Sequence, residues 1–150
     1  MAINIEFVVD DTFSSIYFYL ESAKLNFMPS LDAQVDIKSY SQKLSDNAHN
    51  VFSVDPLTNE RVGYCAYYIN EFQSLIYISS ISVISSVQGK GFGRALFQYV
   101  IDQAELHKLE EIQLEVHSSN LQARNFYKKL GFAVKKENKN TLILSLTLVR

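Results

Sequence analysis

The stretch Val83-Ile84-Ser85-Ser86-Val87-Gln88-Gly89-Lys90-Gly91-Phe92-Gly93-Arg94-Ala95-Leu96 decides how this chain is read. An apolar strand, Ser74 to Ile84, stops and glycines take every second position from Gly89 to Gly93. A helix presenting Phe92, Leu96, Val100 and Ala104 on one face then begins at once. That order sets a tight turn of bare backbone N–H groups at a helix N-terminus, where unsatisfied donors and the helix dipole attract an anion. Glycine admits a phosphate to the backbone without a Cβ in the way. The chain holds only five glycines, so three at alternate positions exceed what ending a strand requires.

Two phosphate loops are disfavoured. A dinucleotide-binding fingerprint read from Gly91 runs Gly91, Gly93, Leu96 and lacks its third small residue. A P-loop needs Ser or Thr after Gly-Lys, but Gly91 follows Lys90. Gln88-Gly89-Lys90-Gly91-Phe92-Gly93 instead resembles motif A of the GNAT superfamily, the acyl-CoA-dependent N-acyltransferases: Gln or Arg, x, x, Gly, x, Gly or Ala. The segment from Leu114 to Phe132 resembles motif B of the same family. It has a strand, then Asn120, Ala123, Tyr127 and the run Leu130-Gly131-Phe132. The blocks stand in the family's order, one helix and one strand apart, and the resemblance covers about residues 75–132.

Outward from these blocks the periodicity supplies the remaining elements. Ile3 to Val9 alternates as a strand. Phe13, Ile16, Tyr17, Leu20 and Phe27 keep helical spacing after Thr12, an N-cap candidate, with Pro29 as the stop. Leu31 to Asn47 reads as a second helix through Leu31, Val35, Tyr40 and Leu44. His49 to Val54 and Val62 to Glu71 form a hairpin around residues 55–59. Glu111 to His117 is a strand, Leu121 to Leu130 a helix, and Phe132 to Lys136 with Thr141 to Val149 a closing hairpin. The pattern is α/β, and the resemblance implies one N-acetyltransferase domain over residues 1–150. That domain would be a mixed (α+β), mostly antiparallel twisted sheet of about six or seven strands, with about four helices on both faces.

Composition narrows the function. One hundred and fifty residues suit one domain with one core. A net charge of −2 gives no basic field for nucleic acid or anionic lipid. No apolar run approaches a membrane span, and the start of the chain has no secretory pattern. Cys65 lies in an apolar aromatic run and reads as a buried hydrophobe; a reducing cytoplasm fits. His49, His107 and His117 are scattered, so no metal site is expected. Asp10-Asp11 reads as a complement to a helix dipole.

The resemblance assigns donor binding to the backbone of Ile81, Ser82 and Val83 for the pantetheine arm of acetyl-CoA. Gln88, Gly89, Lys90, Gly91, Phe92, Gly93 and Arg94 would hold its pyrophosphate, with Asn120 nearby. Lys90 and Arg94 are equally readable as solvated surface, and Asn120 as a helix N-cap. Tyr127 takes the family's place of general acid to the CoA thiolate; by helix face alone it reads as core. Many relatives carry a Glu in the strand before the loop, but Leu75 to Val83 has no carboxylate. Leu114-Glu115-Val116 resembles the Leu-Glu-Val strand of bacterial ribosomal-protein N-terminal acetyltransferases, which makes Glu115 the candidate base. His117, an imidazole suited to neutral pH, is its alternative, and a structural carboxylate at position 115 stays open.

The expected activity is acetyl transfer from acetyl-CoA to a primary amine of a small molecule or peptide. The competing expectation is a GNAT-fold module that binds acyl-CoA without turnover. In the family the acceptor lies against the first two helices, their loop and the last hairpin. Here those are residues 26–32 and 135–141, where Phe27 and Met28 suggest an apolar wall and Asp32 an amine anchor, with packing and helix N-capping as equal readings. The acceptor's identity and a homodimer both stay open.

Overall fold

The structure, a computed structural model, describes residues 4–148. Ile3 and Val149, at the ends of the predicted first and last strands, lie outside the described residues. The elements run β1 (Glu6–Val9), α1 (Phe13–Ala23), α2 (Leu31–Gln34), α3 (Ile37–Asn47), β2 (His49–Val54), β3 (Arg61–Asn70), β4 (Leu75–Val83), α4 (Phe92–Leu106), β5 (Glu111–His117), α5 (Leu121–Lys129), β6 (Ala133–Glu137) and β7 (Thr141–Thr147). The seven strands form a mixed sheet in the order β1-β2-β3-β4-β5-β7-β6. The β1–β2, β2–β3, β5–β7 and β6–β7 pairs are antiparallel, and β4–β5 is parallel. This is the mixed, mostly antiparallel sheet expected from the sequence. No helix among the described residues is long and apolar enough to cross a membrane.

Two helical expectations change. The region Leu31 to Asn47 is two helices, bringing the described α-helices to five. Val35 is extended (φ −144°), and Asp36 starts a new helix by accepting the Ser39 N–H at 3.3 Å. The first helix ends at Ala23 and tightens into a 3₁₀ turn, Lys24–Asn26, short of Pro29. Thr12 does occupy its N-cap position, but its hydroxyl donates to Asp10 Oδ1 (2.7 Å) and caps no helical N–H.

Packing divides the chain into two compact units. One runs to Tyr67 and includes Ser80–Val100; the other holds Tyr68–Ser79 and the chain from Ile101 on. In the first, Tyr19 of α1 meets Phe52 edge-on (5.7 Å between ring centres) and Tyr64 at 5.5 Å. Beside them lies a satisfied polar network. Asn50, 1% exposed, donates from Nδ2 to Asp11 Oδ1 and to the Leu44 and Ala48 carbonyls, and accepts from the Tyr64 hydroxyl. Asp10 accepts from the Thr12 N–H and from Arg61, whose guanidinium lies 2.8 Å away. Burial acts to raise the Asp10 pKa, yet hydrogen bonds from Thr12, Ser15 and Arg61 together hold it below the usual carboxylate range. The acidic pair is thus a structural junction between α1, β2 and β3. Cys65 is fully buried, which pushes its thiol pKa up.

In the second unit the alternating residues Ile112, Leu114 and Val116 of β5 are buried. They pair across to Leu146, Leu144 and Leu142 of β7. On the opposite face Glu111 accepts from Gln113, Lys135 and Ser145. Burial opposes ionisation there too, but those hydrogen bonds lower its pKa.

Candidate functional site

The glycine loop lies in the first unit and is built as its spacing predicts, with one addition. A 3₁₀ turn, Ser85–Val87, intervenes between β4 and the glycines. Gly89 (φ +81°) and Gly91 (φ +93°) adopt backbone conformations that side chains rarely reach, and a Cβ at either would meet no atom within 4 Å. Helix α4 makes its first backbone bond from Ala95 N–H to the Gly91 carbonyl (3.0 Å). The N–H groups of Phe92, Gly93 and Arg94 precede that bond and are the donors that a helix N-terminus leaves without a partner in its own helix. Lys90 and Arg94 are exposed.

An apolar cluster holds the loop from beneath. Val62, Val87 and Phe92 are buried together, with Val83 and Ile84 packed against them. Val62 is the surplus residue of a bulge in β3, since Ser53 pairs with Gly63 and Val54 with Arg61. The predicted pantetheine segment lies just before the loop. Its Ser82 carbonyl accepts from the Tyr19 hydroxyl (3.2 Å), and its Val83 carbonyl accepts from Gln88 Nε2 (3.2 Å).

Asn120 and Tyr127 lie in the second unit at the two ends of α5. Asn120 is the N-cap, accepting from Ala123 N–H at 3.2 Å. Arg124 fastens the same turn by donating to the Ser118 carbonyl (2.7 Å). Tyr127 is buried, with the rings of Phe126 (5.5 Å) and Phe132 (5.6 Å) set edge-on to it. The run Leu130-Gly131-Phe132 is the helix stop that fixes this geometry. Phe132 N–H donates to the Tyr127 carbonyl and Gly131 N–H to that of Lys128, both at 3.0 Å, while Gly131 sits at φ +103°. This is a Schellman end whose hydrophobic contact is the Tyr127–Phe132 pair.

Glu115 projects from the exposed face of β5. Its Oε2 accepts from Thr141 Oγ1 (2.5 Å) and from Asn138 Nδ2 (3.4 Å), both on the β6–β7 hairpin. Strand alternation sets Tyr77, opposite Gln113, and His117, opposite Thr141, on the same face. Burial and then the Glu115 charge raise the Tyr77 pKa.

A separate cleft of about 550 Å³ opens in the first unit, lined by Tyr17 and Glu21 of α1 and by residues 32–38. Three carboxylates stand on its wall. Glu21 is paired with Lys24 (2.7 Å); the Asp32 and Asp36 pKa values are lowered by hydrogen bonds from Ser30 and Ser39 respectively. Asp32, the sequence's candidate for an amine anchor, lines this cleft. Tyr17 and Glu21, one helical turn apart, were the available signal for the rest of the wall.

The profile described as "Acetyltransferase (GNAT) family" matches residues 14–132. N-acetylaspartate synthetase of Xenopus tropicalis is 28% identical over 116 residues, covering 77% of this chain and 42% of that protein. The [ribosomal protein bS18]-alanine N-acetyltransferase of Escherichia coli K12 is 40% identical over 53 residues, 35% of this chain and 36% of its own. This chain thus spans less than half the length of these curated relatives. Among solved structures, the PaiA N-acetyltransferase of Thermoplasma acidophilum, in complex with coenzyme A, shares the fold. Its TM-score is 0.79 at 15% identity, over 97% of this chain and 100% of that one.

Proposed function

Because the chain belongs to the acetyltransferase (GNAT) family, we propose that it transfers an acetyl group from acetyl-CoA to a cationic primary amine. The observation that carries the donor half is the loop Gln88–Arg94: two left-handed glycines leading into the donor end of α4. Such a turn suits the doubly charged CoA pyrophosphate. Lys90 and Arg94 add positive charge at its rim. Ile81, Ser82 and Val83 offer backbone to the pantetheine arm in the manner of an added strand, and the family resemblance assigns Asn120 to the donor as well.

In the reaction the amine nitrogen attacks the thioester carbonyl carbon, a C–N bond forms and the C–S bond breaks. The amine's proton passes to Glu115, with His117 as the second choice, and Tyr127 donates to the departing thiolate. An alkylammonium at pH 7 costs roughly 4–5 kcal/mol to deprotonate, which is the work asked of the base. A phenol and a thiol differ by roughly 1.5 units, about 2 kcal/mol against full transfer, so a hydrogen bond that strengthens with developing charge is the larger part of the acid's role. On the cleft wall Glu21 is already paired with Lys24, but Asp32 and Asp36 still outnumber Lys38 and favour a positively charged acceptor over a neutral one. A cytoplasmic setting belongs to the same proposal, since the buried Cys65 thiol calls for no disulfide partner.

Thiol release from acetyl-CoA with a panel of primary amines tests this directly. Release with diamines or amino-terminal peptides supports it, while acetyl-CoA binding with no turnover on any amine selects the non-catalytic module. Gly91→Val tests the loop. Its branched side chain would be strained at φ +93° and would stand in the phosphate's place. Calorimetry should show acetyl-CoA affinity falling by roughly tenfold or more; unchanged affinity in a folded variant removes the loop from the donor site.

A further inference from the structure

We propose that Tyr19 is a positioning residue for the acyl donor: its hydroxyl fixes Ser82 and thereby sets the backbone of residues 81–83. The proposal rests on the donor reading above. Tyr19 lies far from the loop in sequence and is 6% exposed. Both partners its hydroxyl meets belong to one residue: it donates to the Ser82 carbonyl (3.2 Å) and shares a hydrogen bond with the Ser82 Oγ (3.1 Å), in which either hydroxyl can be the donor.

Three consecutive residues are thus latched to three different elements. Ser82 is held by α1 through Tyr19, Val83 by Gln88 of the loop, and Ile84 by β3, its N–H donating to the Val62 carbonyl at 2.9 Å. The last of these acceptors belongs to the bulge residue, and the middle donor opens the glycine loop. A strand end held this way has little freedom to adjust to a ligand, so its backbone groups must already stand where the ligand needs them. Tyr19 is the one latch of the three made wholly by a side-chain hydroxyl on a separate helix. Its ring is wedged against Phe52 and Tyr64, so phenylalanine would fill the same space and lose only the oxygen. Burial, partly offset by the Ser82 hydrogen bond, pushes its pKa up to about 12, so the group remains a donor throughout the working range of the enzyme.

Tyr19→Phe should raise the acetyl-CoA Kd and KM by roughly tenfold, with kcat at saturating donor within about twofold and the amine KM unchanged. Ser82→Ala keeps the carbonyl acceptor and should weaken the donor by only about twofold. The double variant should bind no more weakly than Tyr19→Phe alone, because both changes act through one contact. A folded Tyr19→Phe with unchanged donor Kd overturns the assignment, as does a fall in kcat with donor KM intact. If Tyr19→Phe fails to fold, Ser82→Ala decides: weaker donor binding at unchanged Tm upholds the latch, and equal binding overturns it. A wild-type chain that does not bind acetyl-CoA overturns the donor reading itself, and the latch with it, a result distinct from loss confined to the variants.

Discussion

Phenylalanine at position 127 would keep the edge-on contacts with Phe126 and Phe132 and remove one oxygen. If that oxygen serves the leaving thiolate, Tyr127→Phe should lower turnover by roughly tenfold or more while acetyl-CoA affinity stays level, as expected of an interaction made mainly in the transition state. Steady-state kinetics beside calorimetry checks this; wild-type turnover would return Tyr127 to the core. Glu115→Gln keeps the side chain's shape and its bond from Thr141 but removes the carboxylate that the proposed mechanism uses as its base. The acidic limb of the pH–rate profile should vanish or shift, the loss being largest near neutrality and shrinking at high pH, where free amine is abundant. Running His117→Asn in parallel tells the two candidates apart. At this scale the sequence disclosed which residue types stood at family positions. It did not disclose that Thr141 and Asn138 hold Glu115, because that depends on how β5 and β7 register across a long separation.

Two helices end by the same device with different residues. At the end of α5, Gly131 takes the left-handed position; at the end of α4, Lys108 does so at φ 58°, with Leu109 N–H reaching back to the Ala104 carbonyl (2.8 Å). Gly131→Ala should cost about 1–2 kcal/mol, from its φ and from a Cβ placed 3.3 Å from Leu146 Cδ1. Lys108→Gly should return about 0.5–1 kcal/mol. Urea titrations of both variants measure the two signs, and equal destabilisation by both would contradict this account of the caps. The strands and most helices were legible because their apolar residues keep period: Phe92, Leu96, Val100 and Ala104 are all buried, as their spacing requires. The break at Val35–Asp36 was not, because Leu31, Val35, Tyr40 and Leu44 carry a helical rhythm straight across it while one carboxylate restarts the helix. The bulge at Val62 was equally hidden, since a surplus residue is defined by the strand opposite.

Over the whole molecule, acid is the condition most revealing of what holds each unit. Asp10 in one unit and Glu111 in the other both have pKa values below those of an unfolded chain. Each contributes stability that is complete above the unfolded carboxyl range and drains away as pH falls through the folded value. Tm should therefore be level from neutrality to about pH 5 and then decline, with a loss of about 1–3 kcal/mol by pH 2. Asp10→Asn should flatten part of that decline while lowering Tm at neutral pH. An acid limb identical to wild type would assign the loss elsewhere. Crowding presents the opposite problem, because an unpaired strand at a sheet border offers neighbouring molecules a template for self-association. The last strand in the sheet order, β6, is exposed along its whole length, yet Lys135 is surplus to its pairing with β7 and is tethered sideways to Glu111, with Lys136 beside it. An approaching chain would find the row of hydrogen-bonding groups out of step at that point and lined with lysines. The same kink that interrupts the hairpin keeps the border from growing.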